Sequence, residues 1–225
     1  MALGVRVKRL RTGPWGWNKT NPVAALGIEG EPHWQLWSLD PDELIGRDQA
    51  GRVVELRPFM GVMGLPPDEP GEHSTGPPRP CGGNIDCKEL VVGSTLYLPV
   101  TVAGALFSTG DGHAAQGDGE VSGTAIECGM DVCELEFSLH PEMRLRTPRA
   151  DTPAGWLSLG FGEDLDEAGN DALGDMLDLL GERFQIERKE ALALASVAVD
   201  LRVTQVVNGV FGVHALLPHG AIREA

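Results

Sequence analysis

The sequence has no apolar run that could cross a membrane, since no window approaches the roughly 18 residues that a spanning helix requires. It also lacks an excess of positive charge, because 18 Lys and Arg face 33 Asp and Glu and the formal net charge is −15 at pH 7. Such a chain repels phosphates, which excludes nucleic acid as a partner and favours a soluble protein that weakly attracts cations. The first residues, MALGVRVKRLRTG, lack the apolar core of a signal peptide, so a cytoplasmic protein is expected.

Cysteine is scarce, and its spacing does not match a zinc-finger site. The gaps between Cys81 and Cys87, and between Cys128 and Cys133, are wider than those of the cysteine pairs that hold structural zinc. We therefore expect buried thiols. Burial is expected most clearly for Cys133, which alternates with apolar residues in a predicted strand over 132–139.

Helical periodicity is limited to the C-terminal part of the chain, and 30 Gly and 16 Pro interrupt the rest. The pattern predicts a mainly β fold, sandwich-like or barrel-like, with two helices over 165–181 and 186–197. Further strands are predicted over 94–107, and over 120–128 and 132–139 with a turn at 129–131.

A Pro- and Gly-rich connection over 65–83 cannot form a helix or a central strand, because Pro lacks the backbone N–H that donates hydrogen bonds in both structures. Loops of this length are usually functional or flexible. The connection leads directly into Asn84 and Asp86, ahead of a second glycine-rich loop around residues 110–119.

This second loop is surrounded by acids and a histidine. Asp111 and His113 lie two apart, which places both side chains on one face of an extended backbone. Together with Asp86 and Glu127 they would suit a divalent cation, zinc first, with a position left open for chemistry. The competing interpretation is a Gly-rich turn held by hydrogen bonds from Asp to the backbone.

Several stretches resemble the acetamidase/formamidase family of amide hydrolases. They are GSTLYLPV, GALFSTGDGHAAQGDGEV, GTAIE, PFMGVMGLPP and SVAVDLRVTQVVNGVFGVHALLP, within residues 58–218. Members usually begin with a longer N-terminal region that is not found here, so we expect a divergent N-terminal segment over 1–57 and a family-like domain over 58–225. The resemblance also implies a homo-oligomer.

The resemblance implies cleavage of the C–N bond of formamide or acetamide. A water activated by the metal would attack the carbonyl, Glu120 or Glu127 would carry the proton, and Asn84 would hold or polarise the amide. Neither a G-x-S-x-G motif nor the stretches of the Ser-Ser-Lys and Cys-Glu-Lys amidases are present.

Two alternatives remain open. One is a catalytically inactive member that binds a metal or ligand, and the other is a calcium-stabilised β module, although the EF-hand pattern is missing. For the remaining polar residues we expect Lys88, Glu89 and Asp118 at the surface, Gln116 either at the surface or holding a small amide, and His214 in the core. We expect Asp200 to pair with Arg202 or to lie at a subunit contact, and Gln205 and Asn208 either to line the pocket or to turn the chain.

Overall fold

The computed structural model describes residues 1–223, which form one large antiparallel sheet with two helices near the C-terminal end. The predicted mainly β class and the two helices are confirmed. The strands are β1 Ala2–Thr20, β2 His33–Asp40, β3 Ile45–Asp48, β4 Val53–Glu55, β5 Phe59–Gly64, β6 Gly82–Asn84, β7 Thr95–Pro99, β8 Ser108–His113, β9 Glu127–His140, β10 Arg149–Thr152, β11 Gly155–Gly162, β12 Asp200–Gln205 and β13 Phe211–Pro218. The helices are α1 Leu165–Phe184 and α2 Arg188–Ala198, and a short 3₁₀ turn covers Ala24–Leu26.

The first strand organises the sheet, whose order is β12-β13-β11-β10-β7-β1-β9-β8-β5-β6. One edge of β1 pairs with β9 along most of its length. Its other edge pairs first with β7 and then with β2, from which β3 and β4 continue. Three register shifts in the pairing with β9 mark bulges, which bend a strand and increase its twist. Residues 1–57 therefore contribute four strands to the sheet that carries the rest of the chain.

Helix α1 packs on β11 and β13 through the apolar stripe that its spacing predicts. Ala168, Ala172 and Met176 are fully buried in this contact. The strand approaches so closely that a Cβ on Gly160 would lie 2.2 Å from the carbonyl oxygen of Ala168, so only glycine fits there. The Asp164 side chain caps the helix by accepting a 2.8 Å hydrogen bond from the backbone of the first turn.

The predicted strands around the glycine-rich loop are partly wrong. Residues 127–140 form a single strand, β9, without a turn at 129–131, and residues 120–126 are irregular. Gly119, Glu120 and Gly123 have φ values of 90°, 48° and 86°, which break an extended backbone. The strand predicted over 94–107 is limited to β7, because Pro99 ends it and residues 104–106 also adopt positive φ.

The prediction of buried thiols holds for Cys81 and Cys87 and is wrong for Cys133, which is exposed. Its neighbours on the same face are only partly covered, because Phe107 packs against Phe137 at 5.2 Å between ring centres while Leu139 is 56% exposed. Phe137 is 54% exposed on the same strand. Within residues 1–223, neither helix has the length and apolarity needed to cross a membrane.

Candidate metal centre

Two carboxylates flank the imidazole of His113 at the end of β8. Its Nε2 atom lies 3.2 Å from Oδ2 of Asp111 and 3.2 Å from Oε2 of Glu127. Asp111 lies on the same strand, whereas Glu127 begins β9 and is the cross-strand partner of His113. Phe59 packs edge-on against the imidazole at 5.0 Å between ring centres. The expected proximity of Asp111 and His113 is present, although Asp111 has a φ of 60° and departs from the extended backbone that the prediction assumed.

Asp86 enters the same space over Gly61 of β5, whose carbonyl accepts a 3.1 Å hydrogen bond from the Asp86 backbone. A Cβ on Gly61 would lie 2.7 Å from Oδ2 of Asp111, 2.7 Å from Oδ1 of Asp86 and 2.9 Å from Cε1 of His113. These distances are shorter than carbon and oxygen atoms tolerate. Gly61 thus forms the floor of a cradle that any other side chain would fill.

Glu120 completes the centre from the irregular loop before β9, and it is only 6% exposed. Potential ligand atoms of Asp86, Asp111 and His113 all lie within 4.8 Å of one another, as do those of His113, Glu120 and Glu127. Four acids and one histidine therefore surround one small volume. We call these five residues the acidic cluster.

Three buried polar atoms of the acidic cluster have no hydrogen-bond partner in the structure, namely Oδ1 of Asp86, Nε2 of His113 and Oε2 of Glu120. The two 3.2 Å contacts of the His113 nitrogen are ion-pair distances without hydrogen-bond geometry. Leaving buried polar atoms unpaired costs about 1–3 kcal/mol each. A divalent cation would pair directly with the atoms of Asp86 and His113 and would favour the charged form of Glu120 beside them, so the residues present fit a metal ion.

Without a cation, the acidic cluster must hold protons. Burial, reinforced by the charge of Asp86, raises the pKa of Glu120 to about 8. Burial likewise raises the pKa of Asp86 to about 6, although the charge of His113 opposes this. Burial would lower the pKa of His113, but its contacts with Asp111 and Glu127 outweigh burial and raise the pKa to about 10. His113 in turn keeps the pKa of Asp111 below its usual value. A bound cation would replace these protons.

Gln116 determines which nitrogen of His113 faces the acidic cluster. Its Nε2 donates a 2.7 Å hydrogen bond to the backbone carbonyl of Asp86, so its Oε1 faces Nδ1 of His113 at 3.0 Å. Because that oxygen can only accept, Nδ1 must carry a proton and Nε2 is available as a ligand. The predicted surface position of Gln116 is wrong, because the loop folds its side chain inward.

Asn208 lies in the turn between β12 and β13 and donates a 2.7 Å hydrogen bond to Oδ2 of Asp86. It therefore reaches the centre, one of the two roles left open for it. Gln205 takes the other role, since its side chain accepts from the backbone of Val207 and donates to that of Val210. Orienting partners of this kind hold metal ligands in place.

The remaining polar residues have their hydrogen-bond partners outside the acidic cluster. Asn84 donates to the carbonyl of Gly76 at 2.9 Å, in the Pro-rich connection. His214 is buried in the core, where its Nδ1 lies 2.8 Å from the hydroxyl of Thr204 and burial lowers its pKa to about 4. The predicted pairing of Arg202 with Asp200 is wrong, because Arg202 reaches other partners.

The surface position predicted for Asp118 is confirmed, whereas that predicted for Glu89 is wrong and Lys88 is partly buried. Glu89 is 3% exposed, and Asp118 pairs with both Lys88 and Arg202. The segment after Asp86 folds against the loop before Glu120, so Lys88 pairs with Asp118 and Glu89 pairs with Arg202.

A cavity of about 190 Å³ adjoins the acidic cluster. Glu120 and Gln116 contribute to its lining, and Asn18 and Trp37 form a wall from β1 and β2. The indole Nε1 of Trp37 donates a 2.7 Å hydrogen bond to Oδ1 of Asn18, which turns the Asn18 amide nitrogen away from the indole. The cavity has the size for a molecule of a few non-hydrogen atoms.

Comparison of sequences relates a central part of this chain to known proteins. The model of the Acetamidase/Formamidase family matches residues 68–152. An acetamidase from Mycolicibacterium smegmatis is 52% identical over 56 residues, which make up 24% of this chain and 14% of that relative. The chain thus aligns with only a small part of the length of this curated relative.

Comparison of structures extends the similarity over nearly the whole chain. A solved acetamidase from Bacillus halodurans superposes with a TM-score of 0.87 at 32% identity, covering 96% of this chain and 73% of that one. A solved protein from Thermoanaerobacter tengcongensis, described as a predicted acetamidase/formamidase, gives a TM-score of 0.86 at 27% identity and covers 96% and 71%.

Proposed function

The chain belongs to the acetamidase/formamidase family, and from that membership we propose that it hydrolyses the C–N bond of short aliphatic amides, formamide or acetamide, to a carboxylate and ammonia. The observation that carries this proposal is the convergence of three unpaired buried atoms, from Asp86, His113 and Glu120, beside a cavity of about 190 Å³. Such a site can hold a divalent cation and a small substrate side by side.

We assign the cation to Asp86, Asp111, His113 and Glu127, and we expect zinc because a histidine is present among the carboxylates. When bound, a divalent cation lowers the pKa of a coordinated water towards 7 and polarises a carbonyl. The protein fixes the donors: Gln116 orients His113, and the backbone of Ala125 donates a 3.0 Å hydrogen bond to Oε1 of Glu127.

Glu120 is the residue that moves the proton. Its position in the acidic cluster and in the cavity lining lets it take a proton from the attacking water and deliver it to the departing nitrogen. The new C–O bond forms at the carbonyl carbon, the C–N bond breaks, and ammonia leaves. Glu127 is the weaker candidate for this role because it is assigned to the cation and its Oε1 already accepts a hydrogen bond from the backbone of Ala125. We assign no step to Asn84, whose amide nitrogen bonds the Pro-rich connection.

The test is to measure bound metal by elemental analysis and ammonia release from formamide, acetamide and propionamide. We expect metal in the purified protein, and we expect His113→Ala to lose both the metal and turnover. Glu120→Gln should retain metal while turnover falls by about 10²- to 10⁴-fold, the usual contribution of acid–base catalysis.

A matched control is Glu136→Gln, which removes an exposed carboxylate from β9, the strand that also carries Glu127. It should leave metal content and turnover unchanged. Metal binding by the wild-type protein without release of ammonia from any of the three amides would contradict the proposal and favour a non-catalytic, metal-binding member of the family.

A further inference from the structure

A second group of charged residues lies next to the acidic cluster and takes no part in the mechanism above. Arg202 donates to Oδ2 of Asp118 from Nε at 3.0 Å and from Nη2 at 2.7 Å, and to Oε1 of Glu89 from Nη1 at 2.8 Å. Lys88 lies 3.0 Å from the other oxygen of Asp118, and Arg57 lies 3.3 Å from the other oxygen of Glu89. We call these five residues the Arg202 network.

The Arg202 network is not a second metal site, although ligand atoms of Glu89, Asp118 and His214 lie within 4.8 Å of one another. Three cationic side chains already pair with the two carboxylates, so an added cation would meet net positive charge. The imidazole of His214 also uses one nitrogen to contact Thr204. The network therefore has to be explained as part of the protein framework.

The Arg202 network joins three segments that supply the metal centre. The segment 86–89 carries Asp86, the segment 118–120 carries Glu120, and the segment 202–208 carries Asn208. Arg202 binds the first two directly and belongs to the third. Its planar guanidinium forms hydrogen bonds to both partners in one fixed geometry, which a lysine cannot reproduce.

The backbone supports the same arrangement. Gly119 donates to the carbonyl of Thr204 at 3.2 Å, and Val206 donates to the carbonyl of Gly119 at 3.0 Å. Among the described residues, these two backbone bonds link the irregular loop to Thr204 of β12 and to Val206, and the ion pairs of the Arg202 network add to this link. Glu120 directly follows the residue that they hold.

We infer that Arg202 is a positioning residue, which sets the places of Asp86 and Glu120 in the metal centre without touching metal or substrate. The inference rests on the proposed function and deepens it. When an outer partner of a metal ligand is lost, metal affinity or activity typically falls by about 10- to 100-fold. We expect Arg202→Met to weaken metal binding within this range.

The experiment titrates Co²⁺ into metal-free protein, because its visible spectrum reports the geometry of its ligands. Arg202→Met should weaken Co²⁺ binding by about 10- to 100-fold and change the intensity of the visible bands. Arg202→Lys should recover part of the loss, since it keeps the charge without the fork geometry. If Arg202→Met does not fold, Asp118→Asn removes the same link from the other side and should show the same change.

Two arginines serve as controls. Arg11 forms an exposed bidentate salt bridge with Asp42 at 2.6 and 3.1 Å. Arg11→Met should leave the Co²⁺ affinity and the visible spectrum unchanged. Arg149 is buried below α1 and pairs with Glu182, so Arg149→Met should lower thermal stability and leave the Co²⁺ spectrum unchanged.

The inference would be overturned if Arg202→Met or Asp118→Asn bound Co²⁺ with the affinity and visible spectrum of the wild type. This holds even if the variant loses thermal stability, as we expect for Arg149→Met. Failure of the wild-type protein to bind Co²⁺ would overturn it as well. Wild-type protein that binds Co²⁺ and releases no ammonia from amides would contradict the proposed function alone, because the Co²⁺ titration does not depend on turnover.

Discussion

Replacing Gly61 by alanine is the smallest change that tests the geometry of the metal centre. The added Cβ would lie 2.7 Å from an oxygen of Asp86 and 2.7 Å from an oxygen of Asp111. Gly61 lies in β5 without a positive φ, so the substitution introduces no backbone strain and acts only through the new methyl group. Its effect therefore reports on the space between the carboxylates.

The size of the effect follows from the distances. To reach even 3.0 Å from the new Cβ, which is still a very tight contact, both carboxylates must move by a few tenths of an ångström. Ligand distances at metal sites vary by only about 0.2 Å from their usual values. The displaced oxygens would then lie outside the range of normal metal–oxygen distances. We therefore expect metal affinity to drop by about 10- to 100-fold, as it does when ligand orientation is lost.

The assay is a competition titration of Zn²⁺ against a coloured chelator, with circular dichroism as a check on folding. Gly110→Ala is the matched control, because Gly110 lies on the neighbouring strand β8 and a Cβ there would meet no atom within 4 Å. It should bind Zn²⁺ as the wild type does. Wild-type affinity in a folded Gly61→Ala protein would refute the assignment of the cation to this cradle.

Three further results are expected. Asn208→Ala removes the 2.7 Å hydrogen bond to Asp86, so Zn²⁺ affinity in the same competition titration should fall by about tenfold or more, and an unchanged affinity would count against an orienting role. At pH 7 the binding of Zn²⁺ should release about two protons, because the pKa of Glu120 is about 8 and that of His113 about 10 without metal, and affinity should rise with pH; calorimetry in buffers of different ionisation enthalpy measures this, and a heat independent of the buffer would contradict it. Met176→Ala should lower the free energy of unfolding by about 2–5 kcal/mol in urea titrations while the folded protein keeps its metal affinity, and a loss below 1 kcal/mol would show that α1 is not tightly packed.

The part of the centre that the sequence predicts is the part set by local geometry. The spacing of Asp111 and His113 predicts that they lie close together, although the φ of 60° at Asp111 interrupts the regular alternation, and a histidine near several acids indicates a metal. The apolar face of α1 is also predictable from local spacing, since Ala168 and Ala172 recur with the helical period. Such patterns depend only on residues close together in the chain.

The rest depends on contacts between distant segments or on irregular backbone. In the predicted strand over 120–128, Glu120 and Glu127 would point to opposite faces, yet the turns at Gly119 and Gly123 bring both towards His113. No local pattern reveals that the loop leaves an extended path at these points. This is why the sequence left Glu120 and Glu127 as alternative proton carriers and could not place Glu120 beside His113.

Long-range pairing accounts for the other omissions. Asn208 reaches Asp86 across 122 positions of sequence, and Arg202 reaches Glu89 across 113. The charge of Glu89 indicates a surface position when it is considered alone, because a carboxylate is rarely buried without a partner. Its partners come from other strands, which only the folded chain brings together.

The most direct test is to strip the purified protein of metal with a chelator, confirm the loss by elemental analysis, and follow ammonia release from formamide and acetamide as Zn²⁺ is returned. We predict background turnover in the metal-free protein and recovery in proportion to the ion bound, with no recovery in His113→Ala. Undiminished turnover by protein shown to contain no metal would contradict the account, as would recovery in His113→Ala equal to that of the wild type.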